Sequence, residues 1–222
     1  MPNRLRFKKT DLVAEGSHRK VYRHPAVTTM LVKVLRSVPQ TKQRAKLAIW
    51  AEAKFPGFRR RSARKEYQEY LRLMLQARRK DFHPPITHMY GFEMTTNGLG
   101  CLTEAVLDGD ELGPTLAELI RDDALTPEDL TLFNDTIRRL YSYDIRAGDM
   151  TPRNFVFGQR DYAGEMGPRE CVLVDGFGDI HAIPIRSMGR WFNRMGMDDN
   201  CRRLAQRTGL NWDPKTRQFS LT

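Results

Sequence analysis

Asp149, Asn154 and Asp175 are the residues of this chain best suited to chemistry. Asp149 and Asn154 bracket the run Asp149-Met150-Thr151-Pro152-Arg153-Asn154 ahead of Phe155-Val156-Phe157, and Asp175 ends Val172-Leu173-Val174 before Gly176-Phe177-Gly178. Two acids and an amide at the ends of short apolar runs suit phosphoryl transfer from a nucleotide to a hydroxyl. One carboxylate orients the hydroxyl, and hard oxygen ligands hold Mg²⁺ on the phosphates. The blander alternative is that Asp149 and Asn154 form turns by bonding their own backbone, and that Asp175 caps one.

Elements on both sides must position such a set. Asp11-Leu12-Val13-Ala14, Lys20-Val21-Tyr22-Arg23 and Met30-Leu31-Val32-Lys33-Val34-Leu35 read as three meandering strands, broken at Glu15-Gly16-Ser17 and His24-Pro25. Residues 41–55 read as a helix stopped by Pro56-Gly57. Residues 62–80 read as a second helix, with Tyr67, Tyr70, Leu71 and Met74 as its buried stripe. On that wheel Glu66 falls at the edge of the stripe and Glu69 on the opposite side, so Glu66 is the expected inward-facing acid.

Further strands are expected over 86–106, with a hairpin at Thr96-Asn97-Gly98, then a connector between two lobes at 108–115. Thr126-Pro127-Glu128-Asp129 has the signature of a helix start, a Thr cap with Pro in the first turn and an acid at the third position. Leu130, Phe133, Ile137, Leu140 and Tyr141 follow as one buried face. A charged, Gly-containing loop through 158–169 reads as a hairpin between Asn154 and Asp175.

At 222 residues the chain suits one large domain or two small lobes, and 40% apolar with 29% charged residues is ordinary for a folded soluble protein. The basic N-terminus is followed by no apolar run, and no segment approaches the ~20 apolar residues of a membrane span, so the cytoplasm is the expected compartment. Cys101, Cys171 and Cys201 lack the close pairing of a zinc site and are expected to be reduced, two of them buried in strands. Residues 1–100 hold 22 Lys and Arg against 7 acids, and residues 101–222 hold 15 against 20. That split fits a basic half meeting phosphates and an acidic half carrying metal ligands, or equally a nucleic-acid-binding surface.

The order of these elements resembles the protein-kinase-like superfamily and, more closely, the bacterial YrbL family of PhoP regulatory network proteins. The resemblance rests on Gly16-Ser17-His18-Arg19-Lys20-Val21-Tyr22-Arg23-His24-Pro25, on Lys33 in its strand, on Asn97-Gly98-Leu99-Gly100, and on the Asp149-to-Asn154 and Asp175-to-Gly178 motifs. It implies an α+β, two-lobed kinase-like fold, with a strand-rich lobe over 1–106 that includes helix 62–80, and a reduced, mainly helical lobe over 107–222. It further implies an ATP-binding, Mg²⁺-dependent phosphotransferase acting on an unidentified hydroxyl.

In that frame Gly16 lets its turn approach the phosphates, Lys33 neutralises phosphate charge, and Glu66 holds the Lys33 ammonium. Asp149 orients the acceptor hydroxyl, and Asn154 and Asp175 hold Mg²⁺. The backbone from Glu104 to Val106 becomes the adenine-binding hinge. Each has a plainer counterpart: a hairpin glycine, an exposed strand lysine, a solvated helix acid, a strand end.

The departures narrow the expectation. Ala147-Gly148 stands where protein kinases carry His-Arg, so switching through a phosphorylated activation loop is not expected. The Gly-rich loop has one glycine, and no Ala-Pro-Glu segment follows Asp175, which tilts the reading to an atypical or small-molecule-type kinase. A pseudokinase scaffold is one rival reading. A nucleic-acid module using Arg59, Arg60, Arg61, Arg64 and Lys65 is the other, without any reader motif to support it.

Overall fold

In the computed structural model, residues 4–16, 19–35, 61–77, 82–179 and 185–221 are described. The chain forms two compact units, residues 1–64 with 88–105 and residues 65–87 with 106–222. The expected helix over 41–55 and its Pro56-Gly57 stop lie outside the described residues, as do Ser17, His18, Arg59 and Arg60.

The first unit is built on an antiparallel sheet of β1 (Leu12–Glu15), β2 (Arg19–Arg23), β3 (Met30–Leu35), β4 (Met89–Thr95) and β5 (Gly98–Glu104), in the order β1-β2-β3-β5-β4. The three-strand meander and the 96–98 hairpin stand where the alternating pattern places them. The register sets Tyr22, Val32 and Leu102 side by side, and Tyr22, Val32 and Val34 form a core closed by Leu5, Phe7 and Leu12. Phe7 stacks on Tyr22 with ring centroids 4.3 Å apart. Gly100 permits this packing, since a Cβ there would lie 2.5 Å from Val32 Cγ1. The His24-Pro25 break is held by His24 Nδ1, which accepts the Ala26 and Val27 N–H groups at 3.2 and 3.1 Å.

The second helix expected from the sequence is α1 (Arg61–Gln76), and from Lys65 onward it groups with the second unit. Its buried face differs from the expected one. Glu66, Glu69, Tyr70 and Leu73 are buried, whereas Leu71 is 39% exposed. The i, i+3, i+4, i+7 spacing holds, rotated by one residue, and it takes both acids inward. Apolar residues alone misplace the stripe because a carboxylate can be buried once charged and backbone donors satisfy it.

Residues 108–115, read as a connector, are built into the second unit. There β6 (Leu107–Asp108) and β7 (Glu111–Leu112) pair, Leu107 and Gln159 exchange backbone hydrogen bonds, and Pro114 O accepts from Phe157 N. After α2 (Leu116–Arg121) comes α3 (Pro127–Ser142), opened as expected by a capping box. Asp129 N donates to Thr126 Oγ1 at 3.0 Å, and Asp129 Oδ2 accepts the Thr126 hydroxyl at 2.9 Å. Phe133, Ile137, Leu140 and Tyr141 are buried, and Leu130 is only half-buried.

Helix α3 packs on the antiparallel pair of β8 (Phe155–Gly158) and β11 (Glu170–Leu173), where Thr136 Oγ1 donates to Cys171 O at 2.6 Å and Phe133 meets Phe155 edge to face. The loop between these strands contains its own small hairpin, β9 (Asp161–Tyr162) with β10 (Glu165–Met166). Helix α4 (Arg190–Thr208) and a final hairpin, β12 (Asn211–Asp213) with β13 (Gln218–Ser220), complete the unit. The three thiols are free. The buried ones are Cys171, in a strand as expected, and Cys201, which lies instead on α4.

Candidate functional site

Strands β8 and β11 are the platform of the site. Phe155, Phe157, Cys171, Val172 and Leu173 have no solvent exposure, so the pair is fixed in the interior. Phe155 and Leu173 are direct partners, and the loops carrying Asp149-to-Asn154 and Asp175-to-Gly178 therefore leave the pair at the same end.

Backbone hydrogen bonds weld the two loops. Val174 N donates to Asn154 O at 2.8 Å, and Asp149 N donates to Gly176 O at 2.9 Å. The Asn154 Nδ2 amide donates to Asp149 O at 2.9 Å, which settles the orientation of that side chain. Asp175 Oδ1 accepts the Gly176 N–H at 2.7 Å. Gly176 has φ +81, and a Cβ there would collide with the Asp149 carbonyl and lie 2.9 Å from Asn154 Nδ2. Two independent constraints thus demand glycine between the loops.

Asp149, Asn154 and Asp175 are accordingly neighbours. Asp149 has a pKa raised above the usual carboxylate range, first by partial burial and then by the Asp175 carboxylate, with Arg207 opposing. Among the described residues no group of three or more His, Cys, Asp and Glu side chains is assembled as a metal cluster. The Asp175 carboxylate and the Asn154 amide carbonyl make a sparse, all-oxygen donor set. That matches Mg²⁺, which keeps several waters and takes few protein ligands, and the repulsion felt by Asp149 is the kind a cation relieves.

The chain segment leading to Asp149 is braced by residues that the sequence reading missed. Glu69, expected on the solvent side, is buried and accepts from Arg146 N at 2.9 Å, Arg146 Nη1 at 3.3 Å, and Arg72 Nη2 and Nε at 2.5 and 3.1 Å. Arg146 O in turn accepts from Gly178 N at 2.5 Å, and Arg72 Nη2 also donates to Asp144 O at 2.9 Å. From α4, Asn200 Nδ2 donates to Ala147 O at 2.8 Å, and Asn193 Nδ2 donates to Asp144 Oδ1 at 2.9 Å. Arg186 Nη1 reaches Ala147 O at 2.8 Å. The signal available was two asparagines seven residues apart within the apolar stripe of Met197, Cys201 and Leu204; a buried amide on a helix demands a partner.

Helix α1 also grips the second loop. Lys65 Nζ donates to the Asp179 carbonyl, and a Cβ on Gly178 would lie 2.8 Å from Lys65 O. Lys65 is thereby engaged internally, while Arg64 is exposed. Glu66 is buried on the same helix.

Of the remaining sequence candidates, Gly16, Lys33 and Glu104 belong to the first unit and Val106 to the second. Lys33 is buried on β3, between Val21 and Cys101 in the register. Gly16 N donates to Arg19 O at 2.8 Å, and a Cβ at Gly16 would make only an ordinary 3.6 Å contact. Glu104 is buried and its Oε1 accepts the His88 N–H at 2.6 Å, while its own N–H donates to His88 O. Ala105 N donates to Thr29 O, and Val106, buried at the start of the second unit's longer segment, accepts at its carbonyl from Gly113 N.

Comparison with known proteins returned one family. The family model described as PhoP regulatory network protein YrbL matches residues 5–209. Among solved structures, the crystal structure of Rad53 1-466 in complex with AMP-PNP superposes with a TM-score of 0.49 at 16% identity, covering 96% of this chain and 47% of that one. The chain thus spans about half the length of that structure. No curated protein matches it.

Proposed function

The chain belongs to the family of the PhoP regulatory network protein YrbL, and from that premise we propose that it is a kinase-like protein that binds ATP with Mg²⁺ and transfers a phosphoryl group to a hydroxyl acceptor. The observation that carries this reading is the meeting of Asp149, Asn154 and Asp175 on two welded loops at one end of the β8/β11 pair. Turn-forming alone asks for no second carboxylate beside the first, whereas phosphoryl transfer asks for both.

Asp149 orients the acceptor hydroxyl. Its pKa, raised by partial burial and by the neighbouring Asp175 carboxylate, makes it a better proton acceptor than an ordinary carboxylate. Asn154, whose Nδ2 is committed to Asp149 O, has its carbonyl Oδ1 to offer the cation, and Asp175 joins it. When bound, Mg²⁺ and ATP supply the γ-phosphoryl group and neutralise its developing charge. The same proposal keeps Lys33 and Gly16 for phosphate binding, Glu66 as the lysine's ion-pair partner, and the Glu104-to-Val106 backbone for the base. Most of the rate would come from positioning, which the bracing of the Asp149 loop favours.

Calorimetric titration of Mg-ATP into the unmodified protein and into Asp175→Ala tests this. Metal-dependent binding is expected, reduced at least about tenfold by the substitution, as for loss of a metal ligand set. Equal heats from the two proteins would refute the metal assignment. Binding without transfer to any hydroxyl acceptor would assign the chain to the regulatory scaffolds.

A further inference from the structure

Three arginines from separate elements line one hollow of the second unit. Arg138 comes from α3, Arg194 from α4 and Arg217 from the turn that joins β12 to β13, and the hollow measures about 490 Å³. Residues 101–222 hold 15 Lys and Arg against 20 acids, so this convergence of cations runs against the charge of its half of the chain.

The acids nearby are already engaged. Asp135, which also lines the hollow, pairs with Arg138 and lies 3.7 Å from Arg139. Asp198 Oδ1 accepts the Tyr141 hydroxyl at 2.6 Å and lies 3.4 Å from Arg217 Nε. Asp213 is turned into its own loop, accepting from Lys215 N and the Thr216 hydroxyl at 2.8 Å each. Counting Arg139 and Lys215 with the three arginines, five cations stand against these three carboxylates.

Two of the arginines hold unspent donors. Among the described residues no hydrogen bond or ion pair engages Arg194, which is exposed. The Arg217 guanidinium rests over the Tyr141 ring, 4.5 Å from its centroid, and its Nε is buried without a hydrogen-bond partner. Arg217 also has φ +54, a left-handed conformation that is costly for a long side chain. Its N–H donates to Asp213 O at 2.8 Å, a closure that glycine would make more easily. What arginine adds at that turn is a guanidinium lining the hollow.

The hydroxyls around the hollow complement these donors. Thr131 Oγ1 donates to Pro127 O at 2.9 Å, Ser142 Oγ to Arg139 O at 3.0 Å, and Thr216 Oγ1 to Asp213 Oδ2. With their protons spent, they keep lone pairs that can only accept. Among the described residues that line the hollow, none is purely apolar.

We propose that this hollow binds the phosphate group of a small hydroxyl-rich molecule, a phosphorylated sugar or polyol. Arg194 and Arg217 hold the phosphate oxygens, and Thr131, Ser142 and Thr216 accept from the ligand's hydroxyls. Guanidinium forks match phosphate in both geometry and charge, and the volume suits a small metabolite. Arg138, committed to Asp135, adds to the field. The proposal does not depend on the nucleotide reading.

Calorimetric titration of the full chain with glucose 6-phosphate, ribose 5-phosphate and glycerol 3-phosphate tests it, with inorganic phosphate, glucose and citrate alongside. At least one phosphate ester should bind about tenfold more tightly than inorganic phosphate, and glucose should give no heat. Arg194→Gln should weaken that ester about tenfold at unchanged melting temperature, because its side chain holds nothing in the resting fold. Arg217→Gly, at ease in the left-handed turn, should fold normally and lose about as much. Asp175→Ala should bind the ester like the unmodified protein, which separates this hollow from the nucleotide site proposed above. No heat from any of the three esters, or equal affinity in Arg194→Gln, overturns the proposal. Citrate binding as tightly as the best ester would give the hollow to carboxylates and overturn it too, and inorganic phosphate binding as tightly would overturn the hydroxyl-rich body.

Discussion

The Asp149–Gly176 region of the second unit and the Gly16–Lys33 region of the first differ in how tightly their surroundings specify them. At Gly176 a positive φ and an occupied space both demand glycine, and Asp144, Arg146, Ala147, Asp149 and Asn154 are each hydrogen-bonded to α1, α4 or the Asp175 loop. At Gly16 neither constraint operates. Lys33 is one buried position on an ordinary antiparallel sheet. A glycine that the resting fold requires reports on structure. For Gly16, where the resting fold sets no such demand, only ligand binding can test the proposed phosphate-binding turn.

Substitutions can break or sharpen this contrast. Gly176→Ala should have the largest effect, destabilising the protein by about 4 kcal/mol or more through the collision with the Asp149 carbonyl and the strained φ. Urea unfolding would measure it, and a loss below about 1 kcal/mol would mean the two loops move apart easily.

Glu69→Ala comes next, at about 3 kcal/mol, because Arg146 and Arg72 lose a buried carboxylate that four hydrogen bonds converge on. If the bracing serves the site, this variant should also weaken Mg-ATP binding.

Asp149→Asn should act in the opposite direction. A folded-state pKa raised above the unfolded value means that the native state holds the proton longer, so native stability falls as pH rises through the carboxylate range and stays lower above it. The Asn variant should melt slightly higher than the unmodified protein at neutral pH, with the difference vanishing in acid, where both forms are uncharged. A difference independent of pH would sink the electrostatic account.

Gly16→Ala should be the mildest in stability, within about 0.5 kcal/mol. Weakened nucleotide binding in that stable variant would sharpen the comparison, and unchanged binding would reduce Gly16 to a hairpin glycine.

Much of this molecule was legible from residue order. The meander around Gly16, the 96–98 hairpin, the Thr126 capping box and the motifs around Asp149 and Asp175 all depend on neighbours a few residues apart, and period, cap and turn chemistry report such neighbours directly. What residue order left undecided lay in contacts across the chain. Glu69 looked solvated because its partners, Arg146 N and the Arg146 guanidinium, are 77 positions away. Asn193 and Asn200 are buried beside Met197, Cys201 and Leu204 because the Asp144 carboxylate and the Ala147 carbonyl, about fifty positions earlier, satisfy their amides. Local periodicity ranks side chains by polarity alone, whereas burial is settled by whether a distant donor or acceptor arrives to satisfy each polar atom, and that information is three-dimensional.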